Sequence, residues 1–451
     1  MGRDRPLAVC GEPRPPARGC TLPQRLARPR AAALRCRIRH RGDARALLRA
    51  AGRGPVKRIA IVVPRCHESL VGGAEAHAWQ YATLLADSCA VEVLTTTASD
   101  YVNWANDLPA GEEWCDGVLI RRFRVARGRT GYFHDLHRRL LAEFAATAGA
   151  AAAQRVRWPE ALQDEFIRAQ GPVSHDLVAH LSQHGDDYAA VIFLTYLYPT
   201  THDGSRVLRH RRWGIVPTLH DEPPAYLRVV AELGARVPRI LWNTPAERRL
   251  AARLWGVDAG NIVAMTVATE PVTPAHEAAP YLLYCGRIDS HKGCAMLIDA
   301  FRAYRRARGT ALELVLTGAD TLGVKSGEGV RYLGFVDEAR KFALMAGAVA
   351  FVQPSPNESL SIVLLEAMAQ GTPAIVNGAC EVLADHVHDS GSGYVFNDVA
   401  QLHAAIDTVM ALDETARADQ ARRARGYVLE HYARASVRAR LVAELEALAA
   451  T

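Results

Sequence analysis

PSPNESLSIVLLEAMAQGTP, residues 354–373, is the stretch on which the fold turns. It begins Pro-rich, places a carboxylate at Glu358, runs through apolar residues to a second carboxylate at Glu366, and leaves through Gly-Thr-Pro. AVAFVQP (348–354) before it and PAIVNG (373–378) after it have the composition of buried strands. Between them Ile362, Leu365 and Ala369 keep helical spacing, so the unit is strand–loop–helix–strand with parallel strands. Glu358 falls in the loop or first turn and Glu366 about two turns on, which at roughly 1.5 Å rise per residue puts them at most about 12 Å apart. A helix N-terminus between two acids favours phosphate, while each carboxylate accepts hydrogen bonds from hydroxyls. A nucleotide-sugar has ribose, diphosphate and sugar in the order this spacing asks for.

Upstream, YLLYCGRIDSHKGCAMLIDAFRAY (281–304) repeats the pattern of strand, loop and helix. A strand over 281–285 runs into Gly286-Arg287, and Lys292-Gly293 starts a helix whose buried stripe is Met296, Leu297, Ala300, Phe301 and Tyr304. Arg287 and Lys292 thus flank a helix N-terminus, where two cations and free N–H groups suit a diphosphate. LELVLTG (312–318) and VRYLGFV (330–336) read as further strands and GYVF (393–396) as a short edge strand. From about residue 400 the chain reads as helix.

In the first half, RIAIVVP (58–64) is a continuous apolar run of the buried parallel type. The loop RCHESLVGG leads into a helix marked by Ala78, Tyr81, Ala82 and Leu85. Gly72 and Gly73 at its start let backbone approach an anion or sugar closely. No G-x-G-x-x-G follows the strand, which speaks against a dinucleotide oxidoreductase. VEVLTTT (91–97) and LIRRFRV (119–125) are the next strands, and SDYVNWANDLPAGEEW between them reads as a loop placed to meet a polar acceptor. Residues 128–187, with His134, His137, Arg138 and Arg139, read as inserted helices forming a lid or acceptor-site wall. AVIFLTYLYP (190–199) and IVPTLHDEPP (215–224) are strands, and His220 lies just past the end of the second, where α/β enzymes place working side chains. Asn243-Thr244 and Pro245 cap the next helix; IVAMT (262–266) closes the domain, and EPVTPAHEAAP (270–280) is the hinge.

A chain of 451 residues forms two domains. Hydrophobic residues at 49% and charged residues at 23% are ordinary for a globular protein. No window holds 18 consecutive strongly apolar residues, and the Ala-rich piece at 142–153 reads as a helix. The net charge of +6 is uneven: residues 1–56 hold 14 Arg against Asp4, Glu12 and Asp43, leaving the remainder acidic. That segment reads as a disordered tail, a basic arm or a stretch upstream of the true start, with tail or start-site artefact favoured. Nucleic-acid binding would rest on this arm alone, so no specific nucleic-acid partner is expected. The nine cysteines show no C-x-x-C pair and no zinc spacing, and Cys66, Cys285 and Cys294 read as small buried hydrophobes in a reducing cytoplasm.

The 354–373 run resembles the E-x7-E signature of retaining glycosyltransferases of family 4, the group 1 glycosyltransferases of GT-B fold. G-R-x4-K-G at 286–293 resembles that family's diphosphate clamp, and GGAE at 72–75 its glycine-rich loop. The resemblance implies two Rossmann-like parallel-sheet domains facing a central cleft. Residues 57–275 would be the acceptor side, 276–430 the donor side, and 431–451 a helix crossing back onto the first domain. It places Glu358 on the transferred sugar, with Ser359, Leu360 and Ser361 beside it, and Glu366 on the ribose. Arg287 and Lys292 take the diphosphate, Gly334 and Phe335 border the base, Gly72 and Gly73 approach the donor, and His220 lies between sugar and acceptor. The sequence departs at Ser361, where many members carry Gly, and at Val267-Ala268-Thr269-Glu270, where Asn-Gly-Val-Asp is usual. The implied activity is retaining transfer of a hexosyl group from a UDP-, GDP- or ADP-sugar to a sugar, lipid-linked or small-molecule hydroxyl. Alternatives are a nucleotide-sugar epimerase of the same fold and a non-catalytic nucleotide-sugar binder. No two Asp are separated by a single residue, so no D-x-D metal motif is present and no metal or other cofactor is expected. The expected location is cytoplasmic, with peripheral contact at the inner face of the membrane left open.

Overall fold

A computed structural model describes residues 57–67 and 72–450. The readings made for 1–56 lie outside the described residues. In chain order the first half contains β1 (Arg58–Arg65), α1 (Gly73–Leu85), β2 (Ala90–Thr96), β3 (Gly111–Cys115) and β4 (Val118–Phe123). Three helices follow, α2 (Phe133–Ala146), α3 (Glu160–Gln170) and α4 (His175–His184), then β5 (Ala190–Leu194), α5 (Pro199–Arg206) and β6 (Trp213–Val216). After them come α6 (Arg228–Arg236), β7 (Arg239–Trp242), α7 (Pro245–Trp255) and β8 (Asn261–Ile262). The second half begins with β9 (Tyr281–Cys285), α8 (Cys294–Arg308), β10 (Glu313–Thr317), β11 (Val330–Tyr332) and α9 (Glu338–Gly347). It continues with β12 (Ala350–Gln353), α10 (Ile362–Ala369), β13 (Ala374–Asn377), α11 (Glu381–Ser390) and β14 (Tyr394–Phe396). Three helices complete it: α12 (Val399–Met410), α13 (Glu414–Tyr432) and α14 (Arg434–Ala449).

The strands form two sheets, ordered β3-β4-β2-β1-β5-β6-β7-β8 and β11-β10-β9-β12-β13-β14. Each order reverses beside its first central strand, at β1/β5 and at β9/β12. Such a switch point opens a crevice at the carboxyl ends of the strands, where α/β sheets bind ligands. In the second sheet it lies between the 286–293 loop and the 354–361 loop, so both charged motifs arise at one crevice. The motif strands are buried along their lengths, as continuous apolar runs require.

The first sheet departs from the sequence reading at its edge. The end of the expected 99–114 loop is β3, antiparallel to β4, so this sheet is mixed and not wholly parallel. Four of its five residues are exposed, and Glu112 and Glu113 pair with Arg121 and Arg122 across the ladder at 2.5 Å each. Four other strands are shorter than expected: that over 215–224 ends at Val216, where Pro217 and the left-handed Thr218 follow, and that over 330–336 ends at Tyr332. The strand over 190–199 stops at Leu194, because Thr195 has φ +67 and Pro199 opens α5; that over 262–266 is Asn261–Ile262 only.

Helix α14 returns to the first sheet. Val437, Leu441, Leu445 and Leu448 are buried in the cluster that holds Ile59, Ile61, Tyr81 and Leu85. At roughly 1.5–3 kcal/mol per fully buried side chain, these four anchor the helix firmly. Arg438 Nε adds a hydrogen bond to the Leu84 carbonyl at 3.0 Å. Among the described residues no helix is long and apolar enough to cross a membrane.

Candidate functional site

A cavity of about 310 Å³ lies between the two sheets, a size suited to a small ligand. From the second sheet it is lined by Gly286, Arg287, Lys292 and residues 358–363, and from the first by Gly73, His77, Thr218 and His220. A second cavity of about 320 Å³ adjoins it and shares His220 and Glu358. Those two residues therefore mark the boundary between two spaces.

Each lining side chain owes its place to local backbone chemistry. Gly293, at φ +74, caps α8; a Cβ there would stand 2.5 Å from the Pro354 carbonyl oxygen, so only Gly lets the helix start abut the 354–361 loop. Asp289 Oδ1 accepts the Lys292 N–H at 2.8 Å, and its Oδ2 accepts from Arg287 Nε. Burial pushes the Asp289 carboxyl up, but the Arg287 guanidinium and the Lys292 N–H outweigh it and hold the group below the usual carboxylate range. Lys292 Nζ reaches Glu358 Oε1 at 2.7 Å. Both cations of the clamp are thus paired with carboxylates.

Ser361 caps α10 in the left-handed region, φ 62 and ψ 67. This conformation favours Gly, which accounts for the glycine the resemblance leads one to expect. The Ser361 hydroxyl accepts from Gln353 Nε2 at 3.2 Å. Behind the loop, buried His386 fixes its tautomer by geometry: Nε2–H donates to the Leu360 carbonyl at 2.9 Å, leaving Nδ1 to accept from the Tyr427 hydroxyl at 2.9 Å. Burial lowers the His386 imidazole to about 4, against the pull of that carbonyl.

Eight of the residues singled out from the sequence come together on the 310 Å³ cavity: Gly73, His220, Arg287, Lys292, Glu358, Ser359, Leu360 and Ser361. Four do not line it. Gly72 caps α1 and sits against Glu75, itself held by Arg65. Gly334, two residues past β11, has φ +71, and its carbonyl accepts the Gly318 N–H at 2.9 Å; its neighbour Phe335 is 62% exposed. Glu366 is buried in α10, its two oxygens taken by Lys341 Nζ at 3.0 and 2.9 Å. Burial pushes its carboxyl up while Lys341 draws it down.

Sequence reading passed over His77 and Asp289, and took Asn243 only as part of a helix cap, a role the structure gives to the Thr244 side chain. Asn243 follows the end of β7, a position that could have flagged it, and Asp289 lies two residues from Arg287. His77 carried no signal beyond its place one turn into α1. It is buried edge-on to Tyr81 at 4.4 Å, and burial lowers its imidazole to about 3. Among the described residues no cluster of three His, Cys, Asp or Glu side chains is placed to hold a metal ion.

The space opposite, beside His220, is crossed by charges from both halves. Arg249 of α7 pairs with Glu381 at 2.6 Å and Asp385 at 2.5 Å on α11, and Arg253 reaches Glu381 at 3.2 Å. The Thr244 hydroxyl lies 3.5 Å from the Ser359 carbonyl oxygen. Helix α7 therefore touches the second domain along its length.

Residues 268–426 match the family of Glycosyl transferases group 1. The chain is 29% identical over 191 residues to a phosphatidyl-myo-inositol mannosyltransferase of Mycobacterium leprae (strain TN), a match covering 38% of this chain and 50% of that protein. It is 31% identical over 157 residues to a GDP-mannose-dependent alpha-(1-6)-phosphatidylinositol dimannoside mannosyltransferase of Mycobacterium tuberculosis (strain ATCC 25177 / H37Ra), covering 33% and 41%. The chain thus spans half or less of the length of these curated relatives. Sucrose-phosphate synthase from Thermosynechococcus elongatus superposes with TM-score 0.60 at 17% identity, over 87% of this chain and 99% of that one. The arrangement of two facing α/β domains is the GT-B fold.

Proposed function

We propose that this chain is a retaining glycosyltransferase that moves a hexosyl group from a nucleotide diphosphate-sugar to a hydroxyl acceptor, without a metal ion. The observation that carries the proposal is the convergence of Arg287, Lys292, Glu358 and the α10 N-terminal loop on one cavity, with His220 facing them from the other domain. In this reading residues 276–430 hold the donor and residues 57–275 present the acceptor.

The donor's bond between C1 and the β-phosphate oxygen breaks, and its electron pair leaves with the diphosphate. Arg287 and Lys292 meet that growing charge. The acceptor oxygen bonds to C1 on the face the leaving group vacates, and its proton passes to a departing phosphate oxygen. Glu358 accepts from the sugar hydroxyls and shares Lys292 with the diphosphate, while His220 borders the reacting face. Glu366 is assigned to the ribose, and Gly334 with the exposed ring of Phe335 to the base.

The matched relatives' own names make GDP-mannose the first donor to test and a lipid-linked hydroxyl one acceptor class, with a peripheral contact at the inner membrane face in that case. A thermal-shift panel of UDP-, GDP-, ADP- and TDP-sugars finds the donor, since a ligand at about 100 times its Kd stabilises the native state by about 2.7 kcal/mol. With the donor known, NMR of the product gives the anomer. An inverted product, or transfer abolished by EDTA and restored by Mn²⁺, would overturn the reading.

A further inference from the structure

His220 stands on a segment, residues 217–222, that belongs to neither helix nor strand. Its backbone turns sharply at Thr218, a non-glycine residue at φ +54. What holds this turn is a carboxyl group 28 residues further on: the Leu219 N–H donates to Glu247 Oε1 at 2.6 Å. Glu247 is 1% exposed, and its Oε2 accepts the Asn243 N–H at 2.6 Å.

Thr244-Pro245-Ala246-Glu247 begins α7 with the sequence of a capping box: the Glu247 N–H donates to Thr244 Oγ1 at 3.1 Å, while the Glu247 carboxyl reaches back to Asn243, one residue before the cap. A capping box is served equally by Glu or Gln, because one oxygen suffices to reach back to a single N–H. Glu247 instead uses both oxygens, one for the helix start and one for the His220 segment. In either protonation state both oxygens of a carboxyl group carry lone pairs, whereas the amide nitrogen of Gln can only donate. Complete burial of the group opposes its charged form and pushes it up to about 8, against the N–H groups of Asn243, Leu219, Thr244 and Thr218. A helix cap alone does not call for that burial.

We infer that Glu247 is a positioning residue for transfer: by clamping the backbone at Leu219 to the start of α7, it places the His220 imidazole beside Glu358. The inference rests on the proposed function. The same helix start brings the Thr244 hydroxyl to the Ser359 carbonyl, so one element registers the His220 segment against the donor loop.

The test compares the full-length wild type with Glu247→Gln, His220→Ala and the double variant, using the donor found by thermal shift. Glu247→Gln is expected to lower kcat by on the order of 10–10²-fold, the scale of an ångström-sized misplacement, with donor KM unchanged within about threefold. Because Glu247 acts through His220, the double variant is expected to be no slower than His220→Ala alone. Ring ¹H–¹⁵N signals of His220, assigned by their loss in His220→Ala, are expected to shift in Glu247→Gln. A kcat within about twofold of wild type, or losses that simply add in the double variant, would overturn the inference. Should the wild type transfer no sugar, the functional reading falls while the ring signals still decide this one: unchanged His220 resonances in a folded Glu247→Gln protein refute the clamp.

Discussion

Lys292 Nζ and Glu358 Oε1 stand 2.7 Å apart, joining loops that are 66 residues distant in the chain. The pair ties the start of α8 to the loop before α10, so each motif holds the other in place. In the proposed reading, a diphosphate arriving at this point would meet an ammonium already oriented, with little side-chain freedom left to lose.

Lys292→Ala is expected to reduce kcat/KM by about 10²–10³-fold, the scale seen when one donor to a developing oxyanion is lost. Donor affinity falls as well, since the charge contacts ground state and transition state alike. Steady-state kinetics with near-normal kcat/KM would refute the role.

Arg287 differs from Lys292 in offering a planar fork, one arm of which is held by Asp289. Arg287→Ala is expected to cost about 10²–10³ in rate, and Arg287→Lys to recover only part of it, because a single ammonium cannot grip both Asp289 and a phosphate bidentately. Full recovery by Lys would show that charge alone matters.

Stability should pass through a maximum near pH 6.5. Burial holds the imidazoles of His180, His202 and His386 at about 4 and that of His77 at about 3, all below their ordinary 6.5. Between those values the unfolded chain binds protons that the folded one refuses, so stability falls as pH drops below 6.5. Glu247 acts oppositely: raised from 4.5 to about 8, it binds a proton in the folded state first, so its contribution is lost as pH rises through that window. Below 6.5 the four histidines outweigh it; above 6.5 it acts against no histidine of this set. Melting temperatures measured against pH should show the peak, and Glu247→Gln should flatten the alkaline side. A curve rising steadily to pH 8 in the wild type would contradict the assignment.

The pairs between α7 and α11 are half-exposed, so each contributes no more than about 1 kcal/mol and is screened by salt. Replacing Arg249 and Arg253 together by Ala is expected to leave the melting temperature nearly unchanged. The same variant should increase the radius of gyration in small-angle scattering, as the two domains part. An unchanged scattering profile would show that other contacts set their separation.

Most strands of the second domain were legible to within two residues at either end, although the one expected over 330–336 stops at Tyr332. Tyr281–Cys285 and Ala350–Gln353 are buried on both faces and announce themselves as unbroken apolar runs. Gly111–Cys115 was not, because an exposed edge strand of Gly-Glu-Glu-Trp-Cys offers no apolar period, and its pairing depends on arginines in the next strand. The site followed the same division. Spacing located Arg287, Lys292 and Glu358, since loop ends at a switch point are fixed by strand order. Their partners were invisible: nothing in the 354–373 run says that Lys341, on a different helix, occupies both oxygens of Glu366. Nor does a Thr-Pro-Ala-Glu helix start reveal that its carboxyl reaches back to Leu219.

Helix α14 gives the first domain a peculiar order of assembly. Its last strand ends at Ile262, yet its core is completed by Val437, Leu441, Leu445 and Leu448. During synthesis at about 5–20 residues per second, that hydrophobic surface stays uncovered for roughly ten to thirty seconds while the whole second domain emerges. The nascent chain is then open to chaperones or to its neighbours on the same messenger, and the arrival of α14, more than the making of either sheet, becomes the moment at which the first domain is sealed.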